Sequence, residues 1–285
     1  MKQYLLIGLV LGSLNSFALS ERFKVKDNNR KGDAYLYWGW NRSSYTDSDI
    51  QFTGNDYDFS LGNVVAKDRQ TPFDAGIYFH PKLVSIPQYN ARIGYFFSDH
   101  CEVSIGADHM KYVVVEDQKV TMNGNVGSSN SRFEGEYINS ERVLSKDFLT
   151  FEHTDGLNYI NVSFKRYDDV LQYKKFRLGV SEGVEVGGVI PKTNVTLMGK
   201  QRHDEFNWAG YGISGLGAVT LRIYNHFFIQ SEIKAGFIDL GAVRTTVDTS
   251  DKARHNFFFF QGNILFGFSV SLNKKVKAVD AGDGL

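Results

Sequence analysis

The sequence predicts an antiparallel transmembrane β-barrel, and three observations carry that reading. The chain opens with a segment built like an export signal. Nothing after residue 20 is apolar for the roughly 18 consecutive residues that a spanning helix needs. Several long segments alternate between apolar and polar residues with the period of a strand. Composition agrees. The 285 residues include 28 Gly, 23 Phe and 15 Tyr but only 4 Pro. The 32 basic and 32 acidic side chains balance, which argues against a nucleic-acid-binding surface. The single Cys excludes an internal disulfide and any Cys-rich metal site.

Residues 1–20 form the expected signal peptide. Lys2 is its basic start, Tyr4 to Leu14 its apolar run, and Ser16-Phe17-Ala18 or Ala18-Leu19-Ser20 its small-residue cleavage site. Residues 21–32 are an N-terminal periplasmic segment, 33–272 the barrel, and 273–285 a short periplasmic tail.

The clearest strand is 256–272. Phe258, Phe260, Ile264, Phe266, Phe268, Val270 and Leu272 share one face. The opposite face carries Gln261, Asn263, Gly267, Ser269 and Ser271, with Phe259 and Leu265 as apolar exceptions. Residues 227–237 repeat the pattern: Phe227, Ile229, Ile233 and Phe237 against Gln230, Glu232 and Lys234. In a membrane barrel the apolar face meets lipid and the polar face meets the lumen.

Short connections count the strands. Ser98-Asp99-His100 separates 89–97 from 101–115, and Tyr224-Asn225-His226 separates 209–223 from 227–246. A third turn, Arg166 to Tyr173, separates 151–165 from 174–190. With a first strand at 33–45 and the last at 256–272 the total is eight, which leaves both ends of the barrel in the periplasm. The long outer connections are 46–88, 116–150, 191–207 and 247–255. Pro72, Pro81, Pro87 and Pro191 all fall in them, as suits a residue that cannot donate to a ladder. The first connection has its own alternating run, Ile50, Phe52, Tyr57, Phe59 and Leu61, expected to form a hairpin above the membrane. Taking that hairpin into the membrane gives a ten-stranded alternative.

With its signal peptide, its alternating aromatic-rich strands and its aromatic last strand (Phe257 to Leu272), the chain resembles the small outer-membrane barrels of the OmpA/OmpX type. The resemblance is one of pattern over nearly the whole mature chain. It implies residence in the outer membrane of a Gram-negative bacterium, with outer-membrane lipid as the surroundings and no cofactor. Many members stop at a terminal aromatic, whereas here Asn273 to Leu285 follow the last strand.

Strict alternation points Arg92, Lys165, Arg177, Arg222 and Lys234 inwards with Glu102, Asp108, Glu185 and Glu232, joined by Gln230, Gln261 and Asn263. Eight strands leave an interior that side chains fill, so these charges must pair. Arg92 and Glu232, each about five residues from a lower turn, are expected to share a network with Lys234. Glu182 falls on the lipid face unless a bulge near Ser181-Glu182-Gly183 turns it inwards.

Candidates for chemistry are sparse. His153 and Asp155 are two apart on one strand, so the carboxylate would orient the imidazole. No serine motif of the Gly-x-Ser-x-Gly kind supplies a nucleophile for acyl chemistry. Asp47, Asp49, Asp56 and Asp58 place four carboxylates in the first connection, without the spacing of an EF-hand calcium loop. The expected function is therefore that of a non-enzymatic integral outer-membrane protein with a plugged lumen. Segments 46–88 and 116–150 are its surfaces for an extracellular or envelope partner. The alternatives are a barrel enzyme acting on lipid and a narrow channel for small or apolar solutes.

Overall fold

The computed structural model describes residues 29–273 apart from 81, 84, 85, 129–131, 204 and 225. The expected signal peptide, residues 21–28 of the N-terminal segment and the tail beyond residue 273 lie outside the described residues. In chain order the elements are β1 (Asp33–Tyr45), β2 (Ser48–Gly54), β3 (Tyr57–Val64), β4 (Ala66–Lys67), α1 (Ala75–Tyr78), β5 (Tyr89–Phe96), β6 (Cys101–Val114), β7 (Lys119–Val126), β8 (Gly135–Val143), β9 (Leu149–Tyr173), β10 (Phe176–Pro191), β11 (Asn194–Leu197), β12 (Gly210–Ile223), β13 (Phe227–Arg244) and β14 (Lys252–Ser271).

Eight of these strands close a ring in the order β1, β5, β6, β9, β10, β12, β13, β14, and β14 returns to β1 along Asp33↔Ser271 to Tyr45↔Phe259. All pairings are antiparallel. The eight-stranded expectation therefore stands, with strand ends within a few residues of those read from the sequence. The exception is the third turn. β9 and β10 stay paired through Tyr173↔Phe176, so the turn is Lys174-Lys175, with Lys174 in the left-handed region, rather than 166–173. At the closing seam Gly39 lets two backbones approach: a Cβ there would lie 2.0 Å from the Ile264 carbonyl oxygen.

The hairpin β2–β3 rises above the ring as expected. It pairs with the top of β14 (Lys252↔Thr53 to His255↔Ile50) and extends it into a four-stranded array β2–β3–β7–β8. The end carrying this array is called the upper end, and that carrying the three short turns the lower end.

The outward surface is a belt. Leu36, Ile93, Ile105, Val186, Ile213 and Ile233 are each more than half exposed. Exposed aromatics border it below at Tyr95, Phe97, Phe176 and Phe227, and above at Phe206, Trp208 and Tyr211. The turn α1, capped by Asp74 Oδ1 accepting from the Gly76 and Ile77 amides, sets exposed Phe79 5.4 Å from Trp40 at the upper border. Glu182 stays on the outward face, beside Arg166 in the ladder, and the irregularity in β10 falls at Leu178/Gly179 instead of Ser181–Gly183. Among the described residues no helix is long and apolar enough to cross a membrane.

Candidate functional site in the barrel interior

The interior is filled in three layers, each supplied by the inward positions of the ring strands. The middle layer is ionic. Lys234 on β13 is fully buried among three carboxylates: it contacts Asp108, lies 2.8 Å from Glu185 Oε2 and 4.0 Å from Glu232 Oε1. Arg92 on β5 donates to Glu185 Oε1 at 2.5 Å, to Asn161 Oδ1 at 2.6 Å and to Ser104 Oγ at 3.2 Å. The same carboxylates also accept from neutral donors: Asp108 from Asn90 (2.8 Å), Glu185 from Ser214 (2.8 Å), and Glu232 from Gln230 (3.0 Å) and Asn263 (2.8 Å). Asn90 also donates to Gln261 at 3.1 Å, tying β5 to β14 across the ring seam. Such satisfaction is what allows charges to stay buried. Arg92 and Glu232 thus belong to one network, linked through Glu185 and Lys234 rather than by direct contact.

Other lumen residues lie in separate groups nearer the lower end. Lys165 pairs with Glu102 at 2.6 Å, and the Tyr35 hydroxyl donates to the same carboxylate at 2.6 Å. Arg222 donates to Ser269 Oγ at 2.5 Å, and Arg177 sits beside it in the ladder, half-buried and outside the middle network. Tyr35, Tyr37, Phe96, Tyr167, Phe228 and Leu265 form an aromatic floor, which explains why Leu265 breaks the polar face of β14. Arg30 closes this end. Its guanidinium lies 3.8 Å from the centre of the Tyr167 ring and pairs with Asp169 at 2.6 Å. Its backbone amide is held by Asp99 at 3.1 Å. Sequence reasoning placed Arg30 in a plain periplasmic segment, and nothing in the local pattern marks it as a stopper.

The upper layer is apolar, which the sequence reading did not foresee. On strand after strand the inward residue changes from polar to apolar at one height: Asp108 to Met110 and Tyr112, Asn161 to Tyr159 and Leu157, Glu185 to Val189, Lys234 to Ile238 and Leu240, Gln261 to Phe259 and Phe257. Residues of the surface array, including Ile50, Phe52, Phe59, Leu61 and Met122, complete the same core. Phe52 meets Phe151 edge-on at 5.8 Å, and Phe59 meets Phe148 at 5.8 Å. Phe259, the other apolar exception on β14, is therefore the first residue of this core. Reading inward residues along each strand, rather than charges alone, carries that signal.

The catalytic candidates are not brought together. β9 bulges opposite Met110/Tyr112, with Gly156 at φ +137°, and the bulge puts His153 and Asp155 on opposite sides of the wall. His153 is fully buried in the apolar core, hydrogen-bonded to Thr193 Oγ1 at 2.9 Å, whereas Asp155 is exposed and pairs with Lys192 at 3.2 Å. His153 stacks 6.1 Å from His255, whose ring nitrogens meet no hydrogen-bond partner among the described residues. Burial drives both imidazoles towards the neutral form, with His255 held down to about 3 and His153, which also feels His255, well below its usual value. Their outward neighbours Lys252, Arg254 and Glu152 are polar, so the pair lies above the apolar belt. The four acidic candidates of the first connection are dispersed. Asp49 accepts from the Asn63 amide and Asp58 from Gln51, near opposite ends of the β2–β3 hairpin, and Asp47 is exposed. Asp56 lies at the hairpin turn beside Gly127. Among the described residues no three His, Cys, Asp or Glu gather as a metal site.

No protein-family model matches the chain, and no curated protein matches it. Solved structures similar to it are bacterial outer-membrane proteins. OprG from Pseudomonas aeruginosa aligns over 86% of this chain and 98% of its own, at 9% identity and a TM-score of 0.41. The N-terminal β-barrel domain of Pseudomonas aeruginosa OprF aligns over 85% and 100%, at 8% identity and 0.32. Ail, the attachment invasion locus protein of Yersinia pestis, aligns over 83% and 99%, at 8% identity and 0.29.

Proposed function

We propose that the protein is an integral outer-membrane barrel, non-enzymatic and sealed, that displays a folded β unit outside the cell. The observation that carries this reading is an interior filled from end to end, by the Arg30 stopper and aromatic floor, the ionic layer and the apolar core. The outward belt with its aromatic borders supports residence in a membrane, and the even strand count keeps both barrel ends on one side. The export signal read at residues 1–20 supports the outer membrane of a Gram-negative bacterium as that membrane. Segments 46–88 and 116–150 are the part offered to an extracellular or envelope partner. They fold as strands with a common core, so they present a shaped surface rather than loose loops.

Three measurements test this. Membrane flotation should recover the protein with the outer membrane, and recovery in the soluble periplasm would defeat the reading. In planar bilayers the refolded protein should show no unitary conductance; stable steps would promote the channel alternative. Amine labelling of intact cells should reach Lys119 and Lys146, both well exposed on the surface unit. Protection of both until the membrane is permeabilised would invert the orientation.

A further inference from the structure

The bulge that separates His153 from Asp155 leaves a groove in the outer side of the wall, between β6, β9 and β10. Its volume is about 670 Å³. The lower part is apolar, lined by Ala107, Ile160, Ile190 and Phe206. The upper part carries Lys111, Lys192, Asp155 and Thr154, with His109 between the two. His109 is fixed there by stacking on Tyr89 (ring centres 5.0 Å apart, planes 10° from parallel) and by a 2.8 Å hydrogen bond to Asn158. Lys111 Nζ is held by neutral acceptors, Thr71 Oγ1 at 3.3 Å and the Ile86 carbonyl at 3.1 Å. Lys192 pairs with Asp155 at 3.2 Å, and the two lysines, Lys111 and Lys192, border the groove's upper part.

The height of the groove decides what it suits. On β9 the outward residues run Phe164, Val162 and Ile160, then Asn158, then Thr154 and Glu152. On β6 they run Val103, Ile105 and Ala107, then His109 and Lys111. Both strands pass from apolar to polar within the groove. A membrane protein has its hydrocarbon boundary at such a transition, with lipid phosphates just above it. Resting on the membrane-embedded reading, we propose that this groove is a binding site for a phosphate-bearing lipid of the surrounding leaflet. Acyl chains lie along Ile160, Ala107 and Ile190, and the phosphate is met by Lys111 and Lys192. The ion pair with Asp155 opens towards the phosphate or holds Lys192 beside it.

Native mass spectrometry from detergent micelles tests this with three probes: dioleoyl phosphatidic acid, dioleoylglycerol with the same chains, and inorganic phosphate. The expected result is one retained phosphatidic acid, no comparable retention of dioleoylglycerol, and no displacement by millimolar inorganic phosphate. Lys111→Met with Lys192→Met should weaken retention about thirtyfold, since each juxtamembrane lysine is worth roughly 1 kcal/mol towards an anionic lipid. Lys252→Met with Arg254→Met, cations outside the groove, should leave it unchanged. Filling the groove with Ile160→Trp should abolish retention while both lysines remain. Equal retention by the lysine double variant, equal binding of dioleoylglycerol, or displacement by inorganic phosphate would each overturn the proposal. Flotation with vesicles and heat-modifiable gel mobility report insertion separately. A protein that inserts but shows no lysine-dependent preference defeats this site alone, and one that does not insert defeats the reading beneath it.

Discussion

The middle and upper layers of this barrel solve one problem, filling a narrow tube, by opposite means. In the middle layer Arg92 and Lys234 are buried with Asp108, Glu185 and Glu232, and every one of them depends on specific partners. In the upper layer Ile50, Phe52, Leu61, Phe151 and Phe257 depend only on neighbours of suitable shape. Burying apolar surface is favourable by about 25 cal/mol per Å², without directional demands. Burying ions roughly breaks even, because desolvation offsets attraction, but it penalises any arrangement that leaves a charge alone. The upper layer is therefore a conventional protein core that contributes stability. The middle layer chiefly fixes which strands meet and at what register. Their order also makes sense chemically. Above the proposed membrane the chain is in water, so a core of the usual kind can be built from both wall and surface strands. Within the membrane the apolar side of each strand is committed outwards, and the polar side is what remains for the lumen.

The largest effect should come from stranding charges. Lys234→Met leaves Asp108, Glu185 and Glu232 without their shared cation, with Arg92 still paired to Glu185, and should cost about 3–5 kcal/mol in reversible urea unfolding from detergent. Adding Glu185→Met to it should recover part of the loss. A second change that only deepens the loss would mean that the layer is held by packing, like the one above it.

Truncation in the upper layer should behave differently. Leu61 is fully buried in the apolar core, so Leu61→Ala should cost about 3 kcal/mol through lost burial and a residual cavity. No single compensating truncation should restore it. The loss should appear first as faster proteolysis and hydrogen exchange in 46–88 and 116–150, with the ring still resistant. Simultaneous loosening of ring and surface unit would show that the two layers form one cooperative body.

Acid should separate the layers next. His255 has an imidazole held down to about 3 by burial, below its ordinary value near 6.5. The unfolded chain therefore binds the extra proton first, and stability is complete above about pH 6.5 and declines as pH falls below it. At pH 5 the loss from His255 alone should be ~2 kcal/mol, at ~1.4 kcal/mol per pH unit. His255→Leu should flatten that slope. A slope unchanged in the variant would show that His255 is not the source of the acid sensitivity and leave it to His153 or to groups outside the upper layer.

Much of this was legible because period two is a strong signal when both faces of a strand are committed. Ile229, Ile233 and Phe266 could only point outwards, and the inward charges followed. What was not legible had three sources. The apolar core shares its period with the lumen and differs only in residue type, so Phe259 looked like an error in a polar face rather than the start of another layer. The pairing of His153 with Asp155 assumed unbroken alternation, and one bulge at Gly156 was enough to put them on opposite sides of the wall. The stopper was hidden for a third reason. Arg30 gains its meaning from Asp169 and Tyr167, which lie more than a hundred residues away in the chain.

The finest comparison concerns coupling inside and between layers. Counted as ions, the middle network has three carboxylates against two cations, an excess of one negative charge. Arg92→Ala raises that excess to two, and Glu232→Ala removes it. The first change should therefore be the more damaging. The two together restore the original imbalance and should cost less than their sum, although the residues touch only through Glu185 and Lys234. An indirect contact of this kind should show a coupling of about 0.5–1 kcal/mol, at the low end of the range for residues in one network. The matching cycle across the layers, Arg92→Ala with Leu61→Ala, should be additive within about 0.5 kcal/mol, because the two share no partner. Urea unfolding of the four variants in each cycle measures both numbers. Coupling across the layers as large as within the network would mean that the polar and apolar fillings are one structural unit. Additivity within the network would mean that Lys234 screens Arg92 from Glu232 instead of joining them.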